Sequence, residues 1–453
     1  MIREEELPVD DYQPVASVTN LIDPKTHRIF AMELDEAEAR LASEDAEAVG
    51  AIRGSFALLA RADERVLLAR SLDRPMRYFL AKQEAGPLLI VAERIDEIRA
   101  ELVRLGFEDQ FHPSYTRMVP AHYVTTLRLV GCPDPNPQYT RFFDPPREAL
   151  PADLDVIGER YVSALVHEIE TWLDEQSEDE AREPVGVCFS GGIDSGAVLV
   201  AAHAAMLRRG QSPSRLKAFT LAVGDGAEDA NQAREFLRAV DLEMLGEEIT
   251  VPMDALDPLA AVELIEDYKA LDVECATMGI ALMRGIRARY PEWRLLLDGD
   301  GGDENLKDYP IEENSELTIR SVVNNLMLYH EGWGVDSIKH SLTYSGGLSR
   351  GYVRTLAPAR AHGFDGFSPF TRPSVIAVAE AIPFRALSQG SHEKLYALKG
   401  EVVRRGMKLV LGIDFPVFEK RRFQHGAVDG AGFSEVFDVP EDRYRQHFAA
   451  LHR

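Results

Sequence analysis

The stretch Val185-Gly186-Val187-Cys188-Phe189-Ser190-Gly191-Gly192-Ile193-Asp194-Ser195-Gly196 decides how the chain is read. An apolar, β-like run ends in a Ser-Gly-Gly turn, and a smooth apolar helix is predicted from Ala197-Val198-Leu199-Val200-Ala201-Ala202. Two glycines let the backbone turn sharply and approach a ligand closely. Ser190 and Ser195 supply hydroxyls, and the unpaired N–H groups at a helix start point towards an anion. Asp194 alone would repel that anion, so a divalent cation between the two is the natural resolution. The segment reads as a phosphate cradle with a built-in metal ligand. Its plainer reading is a glycine-rich strand-to-helix turn in a wound sheet.

Bulk properties bound what such a cradle can belong to. A chain of 453 residues with 45% apolar and 28% charged residues suits a soluble protein of two or three domains. No apolar run approaches the roughly 18 residues of a membrane span. The opening Met1-Ile2-Arg3-Glu4-Glu5-Glu6 lacks an apolar signal core. Cys132, Cys188 and Cys275 are too few and scattered for a disulfide or zinc framework, so the reducing cytoplasm is the expected compartment. A net charge of −25 repels nucleic acid, and neither nucleic acid nor membrane is expected as a partner.

Residues 1 to about 145 read as β-rich, with strands at Gly54–Ala60, Arg65–Arg70 and Gly86–Ala92. Prolines 133, 135, 137, 145, 146 and 151 crowd a linker, which sets the expected domains at 1–150 and 151–453. An amphipathic helix is predicted over about 153–175, with Ile157, Tyr161, Leu165, Ile169 and Trp172 on one face. From Val185 strands and helices alternate, as a parallel sheet requires. Strands are expected at 185–189, 217–222, 247–251 and 294–297, and helices at 197–207, 229–242, 256–268 and 277–289. Beyond about 312 the chain reads as mainly helical.

A second loop, Leu295-Leu296-Leu297-Asp298-Gly299-Asp300-Gly301-Gly302-Asp303-Glu304, ends the last of these strands. Ligands of open parallel sheets sit beyond the carboxyl ends of the strands. Asp300, Asp303 and Glu304 offer oxygens to Mg²⁺, and Asp194 and Asp303 are expected to share one cation. Alone the loop also reads as a solvated acidic turn. A basic island, Glu419-Lys420-Arg421-Arg422-Phe423-Gln424-His425-Gly426, is either a solvated helix face or a neutraliser of phosphate charge. His362 and His425 have no metal-ligand spacing. Asp272 and Glu274, placed just before the helix expected from Thr277, read either as acids at a helix start or as partners for a substrate ammonium or guanidinium.

Ser190–Ser195 resembles the S-G-G-x-D-S pyrophosphate loop of the ATP pyrophosphatases, and the G-x-x-x-x-G-K-[ST] loop does not occur. Followed by Leu297–Glu304, Phe367-Ser368-Pro369-Phe370 and Lys420, it resembles the synthetase domain of the asparagine synthetase family, which includes the β-lactam synthetases. The likeness spans about residues 150–440.

The resemblance implies an ATP- and Mg²⁺-dependent ligase that adenylates a carboxylate, releases pyrophosphate and passes the acyl group to nitrogen. Carried over residue by residue, Ser190, Gly191, Gly192 and Ser195 would hold pyrophosphate, Asp194 and Asp303 the Mg²⁺, and Gly299 would approach the ATP. Leu221, near the end of Phe219–Val223, would face the adenine through its backbone. Lys420 would stabilise the adenylation transition state. Arg354 falls on the family's arginine of R-A-N-K. Asp300 stands where β-lactam synthetases place a Tyr and asparagine synthetases a Glu, and Val353 stands near the β-lactam base Glu. That argues against a faithful β-lactam synthetase and leaves Asp300 to receive or orient the amine.

The first domain echoes class II glutaminases, an Ntn-hydrolase type, in Gly54-Ser55-Phe56-Ala57, in Ala69–Tyr78 and in Val119–Tyr123. It has Met1-Ile2 where that class needs a Cys nucleophile and reads as a shortened, inactive relic. The fold class expected is thus α/β: a β-rich degenerate Ntn-hydrolase-like domain, then a parallel-sheet ATP pyrophosphatase domain with a mainly helical C-terminal part. The function expected is amide formation from a small-molecule carboxylate and ammonia or an amine, in specialised metabolism such as antibiotic biosynthesis. Intramolecular lactam closure or a non-catalytic ATP-binding role are the alternatives, and a homodimer is compatible with each.

Overall fold

The computed structural model describes residues 17–84, 86–128, 137–177, 179–224, 228–308, 318–324, 352–418, 427–428 and 430–452. These fall into two compact units divided between Phe143 and Asp144.

The first unit is built on two four-stranded sheets. In chain order its elements are β1 (Ser17–Asn20), β2 (Arg28–Phe30), α1 (Leu34–Ala42), α2 (Ala46–Gly50), β3 (Arg53–Ser55), β4 (Ala57–Ala62), β5 (Arg65–Arg70), β6 (Arg77–Ala81), β7 (Leu88–Ala92), α3 (Ile95–Leu105), β8 (Arg117–Met118), β9 (Tyr123–Arg128) and β10 (Gln138–Arg141). One sheet runs β1-β7-β6-β8 and the other β10-β9-β5-β4. Because strand side chains alternate between faces, each sheet has two faces to bury. Val66, Leu68 and Leu127 of one sheet meet Tyr78, Leu89 and Val91 of the other in a shared core. On the outer faces, Ala37 and Leu41 of α1 cover Leu58 and Leu67, while Ile98 and Leu102 of α3 cover Phe79 and Ile90. The layers are therefore helix, sheet, sheet, helix. Arg70 is fully buried, and its Nε donates to Val119 O at 2.5 Å and its Nη1 to Arg74 O at 3.0 Å. This guanidinium is spent on holding the backbone.

The second unit opens with α4 (Leu154–Asp174), capped by Asp153, whose carboxylate accepts from the Asp155 and Val156 amides. Then come β11 (Val185–Cys188), α5 (Ile193–Arg208), β12 (Leu216–Val223), α6 (Glu228–Ala239), β13 (Gly246–Val251), α7 (Pro258–Ile265), α8 (Ala270–Arg289), β14 (Leu295–Leu297), α9 (Gly302–Leu306) and α10 (Ile319–Asn324). A π-helical turn over Tyr352–Leu356 leads into α11 (Ala357–Ala361), followed by β15 (Asp365–Phe367), α12 (Pro373–Glu380), α13 (Phe384–Ser388), α14 (His392–Leu411), α15 (Gly430–Phe437) and α16 (Glu441–Leu451). The molecule is thus mixed α/β with one parallel sheet, ordered β13-β12-β11-β14-β15. Met278, Leu282 and Ile286 of α8 pack on Phe219, Leu221, Ile249 and Leu296 of that sheet.

Three expectations need correction. The chain after 312 holds one more strand, β15, paired in parallel with β14. At three residues it is too short to show alternation in sequence. The helix expected from Thr277 begins at Ala270, because Glu266 turns left-handed (φ 51°) and Asp267 accepts from the Tyr268 and Lys269 amides. Asp272 and Glu274 therefore lie inside α8, not before it. The cradle helix starts at Ile193, so Asp194 and Ser195 sit in its first turn.

Helices α4 and α14 cross at backbone contact. A Cβ on Gly158 would lie 2.7 Å from Val402 O, and a Cβ on Gly406 would run into Gly158 O. Overpacking of this kind costs about 1–3 kcal/mol. Gly406→Ala is expected to lower the thermal unfolding midpoint accordingly, whereas Gly412→Ala, with nothing within 4 Å, meets only the backbone strain of φ +74°.

Candidate active site

The order of strands reverses between β11 and β14, which opens a crevice at their carboxyl ends. Ser190–Gly192 follow β11 into that crevice, and Asp298–Gly301 follow β14. Gly191 is left-handed (φ +77°), and a side chain there would meet the Ala233 amide at 2.7 Å. Ser195 Oγ accepts from the Ser190 amide at 3.2 Å and lies 3.2 Å from Ser190 Oγ. Ser190 Oγ accepts in turn from the Gly192 amide at 3.3 Å, and Gln232 Nε2 donates to Gly191 O at 3.2 Å. Gly299 lets the second loop press on the first: a Cβ there would lie 2.7 Å from the Ser195 amide nitrogen. On Gly302 a Cβ would overlap the Asp194 carboxylate.

Asp194 and Asp303 converge on a single cation, the ammonium of Lys399 from α14. Lys399 Nζ donates to Asp194 Oδ2 at 2.6 Å and to Asp303 Oδ1, and lies 3.3 Å from Asp308 Oδ2. The lysine is 4% exposed. Burial opposes its charge, but Asp194, Asp303 and Asp308 outweigh burial and hold the amine protonated well above the usual lysine range. Nearby, Asn305 fixes α9 by donating to Tyr161 OH at 3.2 Å and to Phe370 O at 3.0 Å.

A carboxylate pair reaching one cation fits Mg²⁺, which takes one or two carboxylates and fills its shell with water and phosphate oxygens. Among the described residues no group of three or more His, Cys, Asp or Glu forms a metal site.

The other half of the crevice is acidic. Asp298 Oδ1 accepts from the Asp300 amide at 2.9 Å and Oδ2 from Ser368 Oγ at 2.7 Å, so Asp298 shapes the loop. Asp300 presents a buried Oδ2 with no hydrogen-bond partner. Burial, then the Asp298 charge, push its carboxyl well above the usual range, against Thr355 and Arg354. Arg354 faces Asp272, with Nε 3.6 Å from Oδ1, and its charge also acts on Asp300 and Glu304. Cys188, on β11, has its thiol pushed up by burial and by Asp298 and Asp300.

Of the residues expected from sequence, Ser190, Gly191, Gly192, Asp194, Ser195, Gly299 and Asp303 come together, and Asp300 lies within electrostatic reach of Arg354. Leu221 lies in β12 with its side chain in the core, 1% exposed, which leaves only its backbone for a ligand. Lys420 and His425 lie outside the described residues. Lys399 and Asp308 went unnoticed in the sequence. The signal was present: Leu395, Leu398, Val402, Val403 and Gly406 form the buried stripe of α14, and Lys399 falls on it.

Two outcomes follow from these charges. Lys399→Met leaves three acids facing one another, so it should cost about 3–5 kcal/mol in denaturant unfolding. Added Mg²⁺ should then stabilise the variant more than the wild type. Asp267 is fully buried, and burial followed by Asp272 raises its carboxyl to about 7. Its folded value exceeds its unfolded one, so stability falls as pH rises from about 4 to about 7 and levels off above. Asp267→Asn keeps an oxygen for the Tyr268 and Lys269 amides and removes that fall. Its gain in unfolding free energy should be absent near pH 4 and reach on the order of 1–3 kcal/mol at pH 8.

No curated protein matches the chain. Residues 174–340 match the Asparagine synthase family model, a span that takes in the cradle, the acidic loop, Asp272 and the Lys399 partners Asp194, Asp303 and Asp308. Over that span the chain carries an ATP pyrophosphatase domain of the asparagine synthase family.

Proposed function

We propose that the protein is an ATP- and Mg²⁺-dependent carbon–nitrogen ligase that activates a small-molecule carboxylate as an acyl adenylate. The observation carrying this reading is the meeting of Asp194 and Asp303 on one cation beside the serine–glycine cradle. Ser190, Gly191, Gly192 and Ser195 would bind the β- and γ-phosphates through hydroxyls and the amides of the first turn of α5. Asp194 and Asp303 would hold Mg²⁺, which when bound draws charge from the phosphate oxygens.

A substrate carboxylate oxygen attacks the α-phosphorus, the bond to the bridging oxygen breaks, and pyrophosphate leaves with that electron pair. Lys420 is assigned to neutralise charge in this step. A nitrogen nucleophile then attacks the acyl carbon, AMP departs, and one proton is lost. Asp300, whose buried carboxyl has a raised proton affinity, is assigned to take it, with Arg354 holding Asp300 in place.

The first unit, expected as residues 1–150, is read as a glutaminase-like scaffold without glutaminase activity. Its helix–sheet–sheet–helix layering supports the likeness. No cysteine occurs before Cys132, and Arg70 is committed to backbone carbonyls. The nitrogen then comes as ammonia or as an amine of a specialised metabolite.

Pyrophosphate release from Mg-ATP, assayed over a pool of amino and carboxylic acids with and without ammonium, tests this reading. Release should depend on one carboxylate, fall by about 100-fold or more in Asp194→Ala and in Lys420→Ala, and stop on chelation until Mg²⁺ is restored. Glutamine should not replace ammonium. Release no greater than the Asp194→Ala blank with every acid would sink the proposal.

A further inference from the structure

Asp272 sits in the first turn of α8 and is 1% exposed. Neither of its carboxylate oxygens has a hydrogen-bond partner. An acid in a first helical turn ordinarily serves the helix by accepting backbone amides or meeting its dipole at the surface. Asp272 accepts no amide here: the N-cap position is Lys269, and Asp267 takes the Tyr268 and Lys269 amides just ahead of the helix, so Asp272 is not the cap. Its nearest cation is Arg354, 3.6 Å away, whose Nε also lacks a hydrogen bond. Arg354 is not available to Asp272 alone, because Asp300 and Glu304 draw on the same guanidinium. Asp267 is a further acidic neighbour and brings no positive charge.

Gly279, two turns along α8 from Asp272, fixes this arrangement. A Cβ there would lie 2.5 Å from Arg354 O, so the π-helical turn lies directly on the helix and Arg354 comes no closer from this backbone. A buried carboxylate short of hydrogen bonds and of positive charge is costly unless a ligand supplies both. A primary ammonium brings three N–H donors and a charge, and a guanidinium brings five.

We propose that Asp272, flanked by Asp300, forms a subsite for a cationic nitrogen, an ammonium or guanidinium, on the substrate. The subsite deepens the adenylating reading and rests on it for the substrate's other end, the carboxylate that faces the cradle. The substrate is then a carboxylic acid with a protonated amine or guanidine rather than a simple dicarboxylate. The cationic group is either an anchor that survives into product or the amine that becomes the nucleophile once deprotonated. The binding chemistry is common to both.

The test uses the full chain and two measurements. Calorimetry with agmatine and with 1,5-diaminopentane, which carry no carboxylate, reads the subsite without any need for adenylation. Pyrophosphate release with 5-guanidinopentanoic acid against 5-ureidopentanoic acid, and 6-aminohexanoic acid against heptanoic acid, reads the same preference in turnover. In each pair one cation is replaced by a neutral group of similar size. The wild type should favour the cationic member by about tenfold or more, the worth of a charge-assisted hydrogen bond. Asp272→Asn, of the same shape, should abolish that preference and the calorimetric binding, while its affinity for Mg-ATP stays as in wild type. Mass of the product separates the two sources, since loss of water without added ammonium marks the bound amine as the nucleophile.

Binding of neither diamine nor agmatine to the wild type overturns the subsite, and so does a preference that survives in Asp272→Asn. If agmatine binds through Asp272 but no carboxylate releases pyrophosphate, the subsite stands and adenylation fails. If neutral acids release pyrophosphate as well as cationic ones, adenylation stands and the subsite fails.

Discussion

The structure of the nucleotide end turns on one buried ammonium. Lys399 reaches three carboxylates from two pieces of chain: Asp194 in the first turn of α5, and Asp303 and Asp308 in and just after the short helix α9. Without a cation these acids would repel one another at hydrogen-bonding distance. Burying a lysine is unfavourable alone, and only its three partners make the position tolerable. The arrangement is consequently a device for position more than for net stability. It fixes where the loops after β11 and β14 stand, and with them the serine–glycine cradle.

The same device depends on a place with no side chains at all. Lys399 lies on α14, and α14 reaches the core only because Gly406 and Gly158 let it meet α4 backbone to backbone. Tyr161 on α4 then contacts Asn305, which ties α9 and its Asp303 to the same frame. A helix crossing, a buried tyrosine and an amide thus converge on two carboxylate oxygens.

Much of this was legible in the chain. The cradle announces itself because its glycines, hydroxyls and acid are contiguous, and the sheet because strands and helices alternate at regular intervals from Val185. The helix starting at Asp153 was clear from its cap and apolar face. What escaped was either short or distant. Strand β15 has three residues and no room for a period. The start of α8 is hidden by Glu266, whose left-handed backbone is rare for a residue with a side chain, so the sequence places Asp272 just ahead of the helix when it is a buried residue inside it. Lys399 was visible only as a charge on an apolar stripe. Its meaning comes from partners that no local pattern connects to it.

Those partners are far away along the chain. Asp194 precedes Lys399 by 205 positions and Asp303 by 96. Asp194 and Asp303 are themselves farther apart along the chain than Asp303 and Lys399, and they meet only because β11 pairs with β14, while the lysine is supplied by α14. Contacts of such sequence separation close slowly, because the chain entropy of a long loop is lost before the contact forms. The arrangement around the cradle is therefore complete only when both the β11–β14 pairing and the docking of α14 are made. Two facing acids without the lysine would repel phosphate, so an intact cradle is a report that α14 is in place.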